Sequence, residues 1–206
     1  ATAAEEEGPL KPHLENPHMD LQQVFKSERF GNIVVSMKGT VIATWGKSYV
    51  RAKRSVDGGK TWGPEIVIAK PGFQPGGVTV NEANGDIIAF VEDRHPPAPI
   101  HVYVSSDDGK SWKKVPTEIK PDSKGNAPSM HMNEHGITLR HGKHKGRLIR
   151  PSRWYAGQNH RSKWPEHYTN AIYSDDGGKT WQASEPFPAK GTGEATIAEL
   201  SDGTIY

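Results

Sequence analysis

The sequence predicts an all-β chain assembled from repeated four-stranded sheets, the pattern of a β-propeller. Three observations predict it. First, one eight-residue phrase, S-x-D-x-G-x-[ST]-W, occurs three times, starting at Ser55, Ser105 and Ser174. Second, each copy follows a short β-type run: Val50 onward, Val102 to Val104, and Ala171 to Tyr173. Third, the 206 residues include 22 Gly and 16 Pro, a supply of turn-formers that suits many short strands. The copies are 50 and 69 residues apart, which sets the size of one repeating unit.

The phrase has the chemistry of a tight hairpin. Asp57, Asp107 and Asp176 can each accept from backbone N–H groups two or three residues on, closing an Asx-type turn. The glycine at the fifth position admits φ > 0. Trp62, Trp112 and Trp181 then open the returning strand with a large apolar plate.

Taken in order, residues 1–24 show little periodicity and read as an extended N-terminal strap. The remaining residues, 25–206, read as a partial propeller, with units at about 25–70, 71–125 and 126–190 and a fourth opening at 191. The first unit has strands at Asn32 to Met37, Thr40 to Trp45 and Tyr49 to Ser55. The second has them at Gly77 to Val80, Asp86 to Val91 and Ile100 to Ser105, with Asn84 and Gly85 as a strong hairpin signal. The third has Gly136 to Arg140, Arg147 to Ser152 and Thr169 to Ser174. The fourth begins with Ala195 to Leu200, turns at Ser201 to Gly203, and returns through Thr204 to Tyr206. A propeller closes with 4 to 8 blades. Three units and part of a fourth are therefore expected to be completed by further C-terminal sequence or by a second chain.

The repeated phrase resembles the Asp-box of sialidases (neuraminidases) and their relatives. That resemblance implies a six-bladed propeller of sialidase type, of which this chain covers roughly the first half. It also makes the three box aspartates structural, on the hairpin between the third and fourth strands and away from the active site. The opposite rim should then collect Arg29, the segment Gln74 to Gly77, the segment His131 to His135, and Glu194. The loops Trp45 to Tyr49, Glu92 to His101 and Pro151 to Tyr168 belong to the same rim.

Two of these residues stand in phrases similar to the family's catalytic ones. Arg29 precedes the first strand, where sialidases carry an Arg-Ile-Pro phrase whose arginine binds the substrate carboxylate; here Phe30 and Gly31 replace Ile and Pro. A guanidinium fork suits that role because it grips a carboxylate bidentately. Glu194 lies five residues before Glu199, Leu200, Asp202 and Gly203, a segment resembling the one in which a catalytic Glu polarises a tyrosine nucleophile. Glu199, at odd parity to it, belongs on the other strand face.

The family's acid/base Asp follows the second strand of the first blade, yet no carboxylate occurs between Arg29 and Asp57. Asp93, or its neighbour Glu92, is one candidate proton donor from the second unit. His95, His131 and His135 are others, since histidine exchanges protons near neutral pH. The long loop from Pro151 to Tyr168 supplies Arg153, Tyr155 and Trp164, side chains that suit a sugar face and an anionic group. The same loop is also compatible with a solvated crossover. Substrate contacts are thus expected from Arg29, His131, His135, Arg153 and Tyr155.

His131 to His135 also fits H-x-x-E-H, a zinc-peptidase phrase. That chemistry needs both histidines on one helix face. Pro128, Gly136 and the alternation of Ile137 to Leu139 argue for a strand instead, so no metal and no cofactor are expected. The segment resembles a third-blade sialidase phrase that ends in Gly146, Arg147 and Leu148. The basic residues at 140 to 147 then fall on its exposed turn.

Net charge is +2, which gives no global field for nucleic acid. There is no Cys, so disulfides and thiolate metal sites are excluded. No run of 18 apolar residues suggests a membrane span. The opening Ala-Thr-Ala-Ala reads as the end left by signal-peptide removal, for a secreted or periplasmic protein. The reading that emerges is an exo-acting glycoside hydrolase acting on a terminal acidic sugar of a glycan or oligosaccharide. A lyase or unusual glycosidase using His and Tyr, and a non-catalytic glycan-binding propeller, stand as alternatives.

Overall fold

The computed structural model describes residues 21–26, 29–73 and 76–206. The expected strap at 1–24 and the expected rim residue Gln74 therefore fall largely outside the described residues. Among the described residues, thirteen strands form three sheets. The first sheet is an antiparallel meander of β1 (Asn32–Val35), β2 (Val41–Trp45), β3 (Val50–Ser55) and β4 (Ile66–Ala69). The second repeats it with β5 (Thr79–Val80), β6 (Ile87–Glu92), β7 (Ile100–Ser105) and β8 (Lys113–Val115).

The third sheet has five strands. After β9 (Glu118–Lys120) come β10 (Ile137–Thr138), β11 (Leu148–Trp154), β12 (Tyr168–Ser174) and β13 (Thr180–Ala183). β9 leaves the second unit and pairs in parallel with β13, Trp181 opposite Ile119. It covers an edge that would otherwise present unpaired backbone groups. The sequence offers no sign of this addition. The expected start of a fourth unit is a short hairpin: Glu199 bridges Ile205, and Ala198 and Tyr206 exchange backbone bonds of 2.9 and 2.8 Å.

Burial follows the pleat. β12 alternates strictly, with every second residue from Tyr168 buried, as a strand with one covered face should. β6 is buried along its whole length because sheets cover both of its faces. One apolar layer lies between the first and second sheets and includes Ile42, Val50, Ile68, Ile87 and Val91. Another lies between the second and third and includes Ile88, Phe90, Met130, Leu148, Ile172 and Trp181. Trp181 is 1% exposed and meets Phe90 edge to face at 5.1 Å. The other two box tryptophans are only half buried.

The boxes close at the expected reach and one residue beyond it: Asp176 accepts from the Lys179 N–H at 3.0 Å, three residues on. Asp57 accepts from the Thr61 N–H at 2.9 Å and the Thr61 hydroxyl at 2.6 Å, four residues on. Asp107 does the same with Ser111, and Asp176 with Thr180. The first serine of each phrase donates to the aspartate and accepts the glycine N–H, at 2.8 Å for both Gly59 and Gly109. Burial alone would raise the Asp107 carboxyl, but these bonds hold it down to about 2.

The boxes also join neighbouring sheets. A Cβ on Gly109 would stand 2.8 Å from Ile42 Cδ1 of the first sheet, and one on Gly178 would stand 2.7 Å from Ile88 Cδ1 of the second. Each of these hairpins thus seats on the second strand of the sheet before it, with no room for a side chain.

Strand pairing fixes which residues share an end. Asn32 pairs with Thr44 and Trp45 with Arg51, so Arg29, Trp45 and Val50 lie at one end of the first sheet. Ser55 and its box lie at the other. Between sheets, Gly76 bridges Asn133 and Thr79 bridges Gly136, so the chain preceding each innermost strand meets its neighbour. Among the described residues, no helix is long and apolar enough to cross a membrane.

Candidate functional site

The end opposite the boxes carries a cleft of about 180 Å3. Arg29, Phe30, Gly31 and Asn32 line it from the approach to β1, Gly76 from the approach to β5, and Met132, Asn133 and Glu134 from the approach to β10. Glu194 lines it from the chain before the last hairpin. Residues 165 positions apart in sequence therefore share one pocket.

Backbone contacts fix these positions. The Arg29 carbonyl accepts from Gly46 N–H at 3.1 Å. Ala195 N–H donates to Asn133 Oδ1 at 3.1 Å, and the Ala195 carbonyl accepts from Glu134 N–H at 3.0 Å, so Glu194 is held at the mouth with its side chain exposed. Two non-glycine residues of the lining, Phe30 and Met132, hold left-handed backbone with φ of 65° and 60°. Such conformations cost about 1–3 kcal/mol each and gather where a site needs them.

Beside the cleft is an aromatic cluster built around His131. Its ring meets Phe30 at 5.2 Å, Phe73 at 5.1 Å, His95 at 4.7 Å and Tyr155 at 6.1 Å. The Arg29 guanidinium lies 4.8 Å from the Phe30 ring, and that of Arg153 lies 4.4 Å from Tyr155. His131 is 3% exposed. Burial first, then the positive charges of His95, Arg153 and Arg29, push its pKa down to about 3. It is a neutral packing plate under the site, so it has neither the exposure nor the proton that a substrate contact or an acid would need.

Arg153 donates to His167 Nδ1 at 3.1 Å. Its guanidinium also lies against Gly193, where an added Cβ would come within 2.8 Å of Cζ, so a bare backbone lets Arg153 approach the chain just before Glu194. Tyr155 is buried beside it; burial raises its hydroxyl pKa far above the ordinary value, and Glu194 adds to the rise. Arg29, Arg153, Tyr155 and Glu194 thus gather at one rim.

Two expected residues are placed elsewhere. Asp93 receives His101 Nε2 at 2.7 Å and is not among the residues lining the cleft. His135 follows Glu134 but belongs neither to the lining nor to the aromatic cluster. Glu92, weighed as a donor from the second-unit loop, is instead the last residue of β6 and is 0% exposed. Glu199 faces away from the cleft and accepts from the N–H groups of Arg140 and His141 at 2.6 and 3.0 Å. The H-x-x-E-H segment is a turn with isolated bridges rather than a helix.

Below the site, Glu92 accepts from Ser129 Oγ at 2.6 Å, and its second oxygen has no partner among the described residues. Arg150, fully buried, donates to the Gly77 carbonyl at 2.9 Å and lies 5.0 Å from the Phe90 ring. Burial pushes the Glu92 carboxyl up to about 8, against the bonds from Ser129 and Met130 and the charges of Arg150 and Arg153. A raised carboxyl pKa means that the folded chain holds this proton more tightly than the unfolded one. The stability it contributes is complete below the unfolded value of 4.5 and is lost as pH rises toward 8. Glu92→Gln is therefore expected to flatten the decline in stability between pH 5 and pH 8, read from denaturant midpoints at the two pH values. Equal declines in both proteins would remove Glu92 as the cause.

Phe73, His95 and His167 were not singled out as site residues by sequence alone, although His95 was weighed as a donor. Phe73 carries no signal beyond an aromatic ring before a strand, whereas His95 and His167 lie in two of the loops expected on this rim. A larger apolar groove of about 530 Å3 lies between the third sheet and the last hairpin, lined by Ile149, Phe187, Ile197 and Tyr206 among others.

The fold defines an Asp-box β-propeller, and residues 172–183 match the BNR/Asp-box repeat. The chain is 30% identical over 202 residues to a sialidase of Micromonospora viridifaciens, covering 85% of this chain and 30% of that protein. In structure it is similar to the Hadza microbial sialidase Hz136, with a TM-score of 0.67 and 21% identity over 86% of this chain and 40% of that one. It is also similar to the NanB sialidase of Streptococcus pneumoniae, with a TM-score of 0.62 and 15% identity over 89% of this chain and 49% of that one. The two structural likenesses are of fold. The chain belongs to the sialidase superfamily. It spans less than half the length of each of these relatives.

Proposed function

We propose that this chain forms part of an exo-acting glycoside hydrolase that removes a terminal acidic sugar, sialic acid or a related keto-sugar acid, from a glycan. The observation that carries the reading is the shared cleft of Arg29 and Glu194. Arg29 offers a two-pronged cation to the substrate carboxylate. Glu194 stands at the mouth as the base for the nucleophile, which the family resemblance puts on a tyrosine downstream of residue 206. A phenol attacks without the repulsion that a second carboxylate would meet from an anionic sugar, the exception sialidases make to the two-carboxylate scheme. The glycan partner and a secreted or periplasmic location belong to the same proposal, as does completion of the ring by further chain.

The loop Trp45 to Tyr49 carries no carboxylate, which favours a second reading as a glycan-binding propeller without turnover. One experiment separates the readings. The full-length protein is incubated with sialyllactose and with glycans ending in other acidic sugars, and the products are identified by mass spectrometry. The hydrolase reading expects a free acidic sugar and an intact alcohol. An unsaturated, ultraviolet-absorbing end would indicate a lyase. Binding with no product on the whole panel would select the binding module.

A further inference from the structure

We propose that His95 is the proton donor and acceptor of this site, in the role the missing carboxylate would otherwise fill. The inference rests on the hydrolase reading above. Three histidines were open to this role, and the structure separates them. His131 is buried and enclosed by rings, and His135 lies outside the cluster. His95 does not line the cleft itself but belongs to the aromatic cluster beside it: it is exposed, and its ring stands against Phe73 at 5.5 Å, His131 at 4.7 Å and Tyr155 at 6.3 Å.

Its tautomer is set by its surroundings. Nδ1 lies 3.0 Å from the Pro96 carbonyl, which can only accept, so Nδ1 carries a hydrogen. Asn159 Nδ2, from the long loop after β11, donates to the same carbonyl at 3.4 Å; its 3.5 Å approach to Nδ1 then sets donor against donor and is no hydrogen bond in this tautomer. Nε2 makes no hydrogen bond among the described residues. A ring held at Nδ1 and open at Nε2 is oriented to exchange a proton at that one atom. The other titratable groups packed against it are His131 and Tyr155, and neither carries a charge near neutral pH.

The chemistry balances with a nucleophile and water alone. As the glycosidic C–O bond breaks, its electron pair stays on the departing oxygen, which takes the proton from Nε2 of the imidazolium. The nucleophile's oxygen meanwhile bonds to the anomeric carbon and gives its proton to Glu194. In the second half, water attacks that carbon, the neutral imidazole takes the water's proton, and Glu194 returns its proton to the nucleophile. The imidazolium is restored.

The test compares leaving groups in the full-length protein. His95→Asn keeps an N–H near the Nδ1 position for the Pro96 carbonyl and removes Nε2. Sialyllactose has an alcohol leaving group that needs a proton; a 4-nitrophenyl ketoside of the same sugar leaves largely without one. General acid catalysis is worth on the order of 10²–10⁴-fold. The variant is expected to lose about a hundredfold or more in kcat/KM on sialyllactose and less than about tenfold on the aryl substrate, with an unchanged melting temperature. Equal losses on both substrates, or none, would overturn the role of His95 while leaving the hydrolase reading intact. A wild-type protein that turns over neither substrate would overturn that reading, and this one with it. Should His95→Asn fail to fold, His95→Gln serves in the same comparison.

Discussion

Glu194→Gln is expected to abolish measurable release of acidic sugar by the full-length protein while leaving its folding intact. The amide keeps the size of the side chain and its place at the mouth of the cleft. It cannot take a proton, so a nucleophile that relies on it stays a neutral, weak hydroxyl. A loss on the order of 10²–10⁴-fold in kcat follows from removing a general base. KM should change little, because Arg29 and not Glu194 grips the substrate in this scheme. The exposed position of Glu194 predicts an unchanged melting temperature. Full activity in the variant would remove Glu194 from the mechanism. A raised KM at unchanged kcat would make it a binding residue instead.

The second large effect is one of stability. The fourth position of the box is Gly58 in the first copy and Gly177 in the third, with φ of 74° and 77°. In the second copy it is Asp108, which adopts the same left-handed backbone at φ of 68°. Its carboxylate accepts from Ser36 at 2.5 Å, Thr40 at 2.7 Å and Arg54 Nη2 at 2.6 Å, all from the first sheet or its turn. The residue is 9% exposed. Removing this carboxylate leaves two buried hydroxyls without their acceptor and a mostly buried guanidinium without its counter-charge, held only by its Nε bond of 2.6 Å to the backbone carbonyl of residue 108. Losing one partner of a buried ion pair costs about 3–5 kcal/mol, and the partial exposure of Arg54 places the expected loss near the lower end. Asp108→Gly isolates the clip, because glycine accepts the backbone conformation freely. Asp108→Ala should cost about 1 kcal/mol more from backbone strain. Denaturant unfolding measures both, and a stability of Asp108→Gly within about 0.5 kcal/mol of wild type would show that the clip contributes little.

Much of the architecture was legible because it is local. The β-type run at Ala171 to Tyr173 marked β12, the Asn84–Gly85 turn marked the β5–β6 hairpin, and the box phrase marked the ends of β3, β7 and β12. Arg29 and Glu194 were legible through the phrases around them. What sequence did not show depends on contacts across tens of residues. β9 carries charged, exposed Glu118 and Lys120 and acquires its place only from the edge of β13. Asp108 looks like one more polar turn residue until the first sheet is brought beside it. Glu92 looks like a loop acid, yet it completes a strand, and burial decides its protonation. The convergence of Phe30, Phe73, His95, His131 and Tyr155 follows from no spacing, because each belongs to a different approach or loop.

The two glycine seats also bear on what each seam tolerates. Gly109 on Ile42 and Gly178 on Ile88 are the same contact made twice, once at each seam between adjacent sheets. A methyl group at either glycine would press on the isoleucine tip at one seam, on a left-handed backbone that already disfavours a side chain, and leave the other seam as it is.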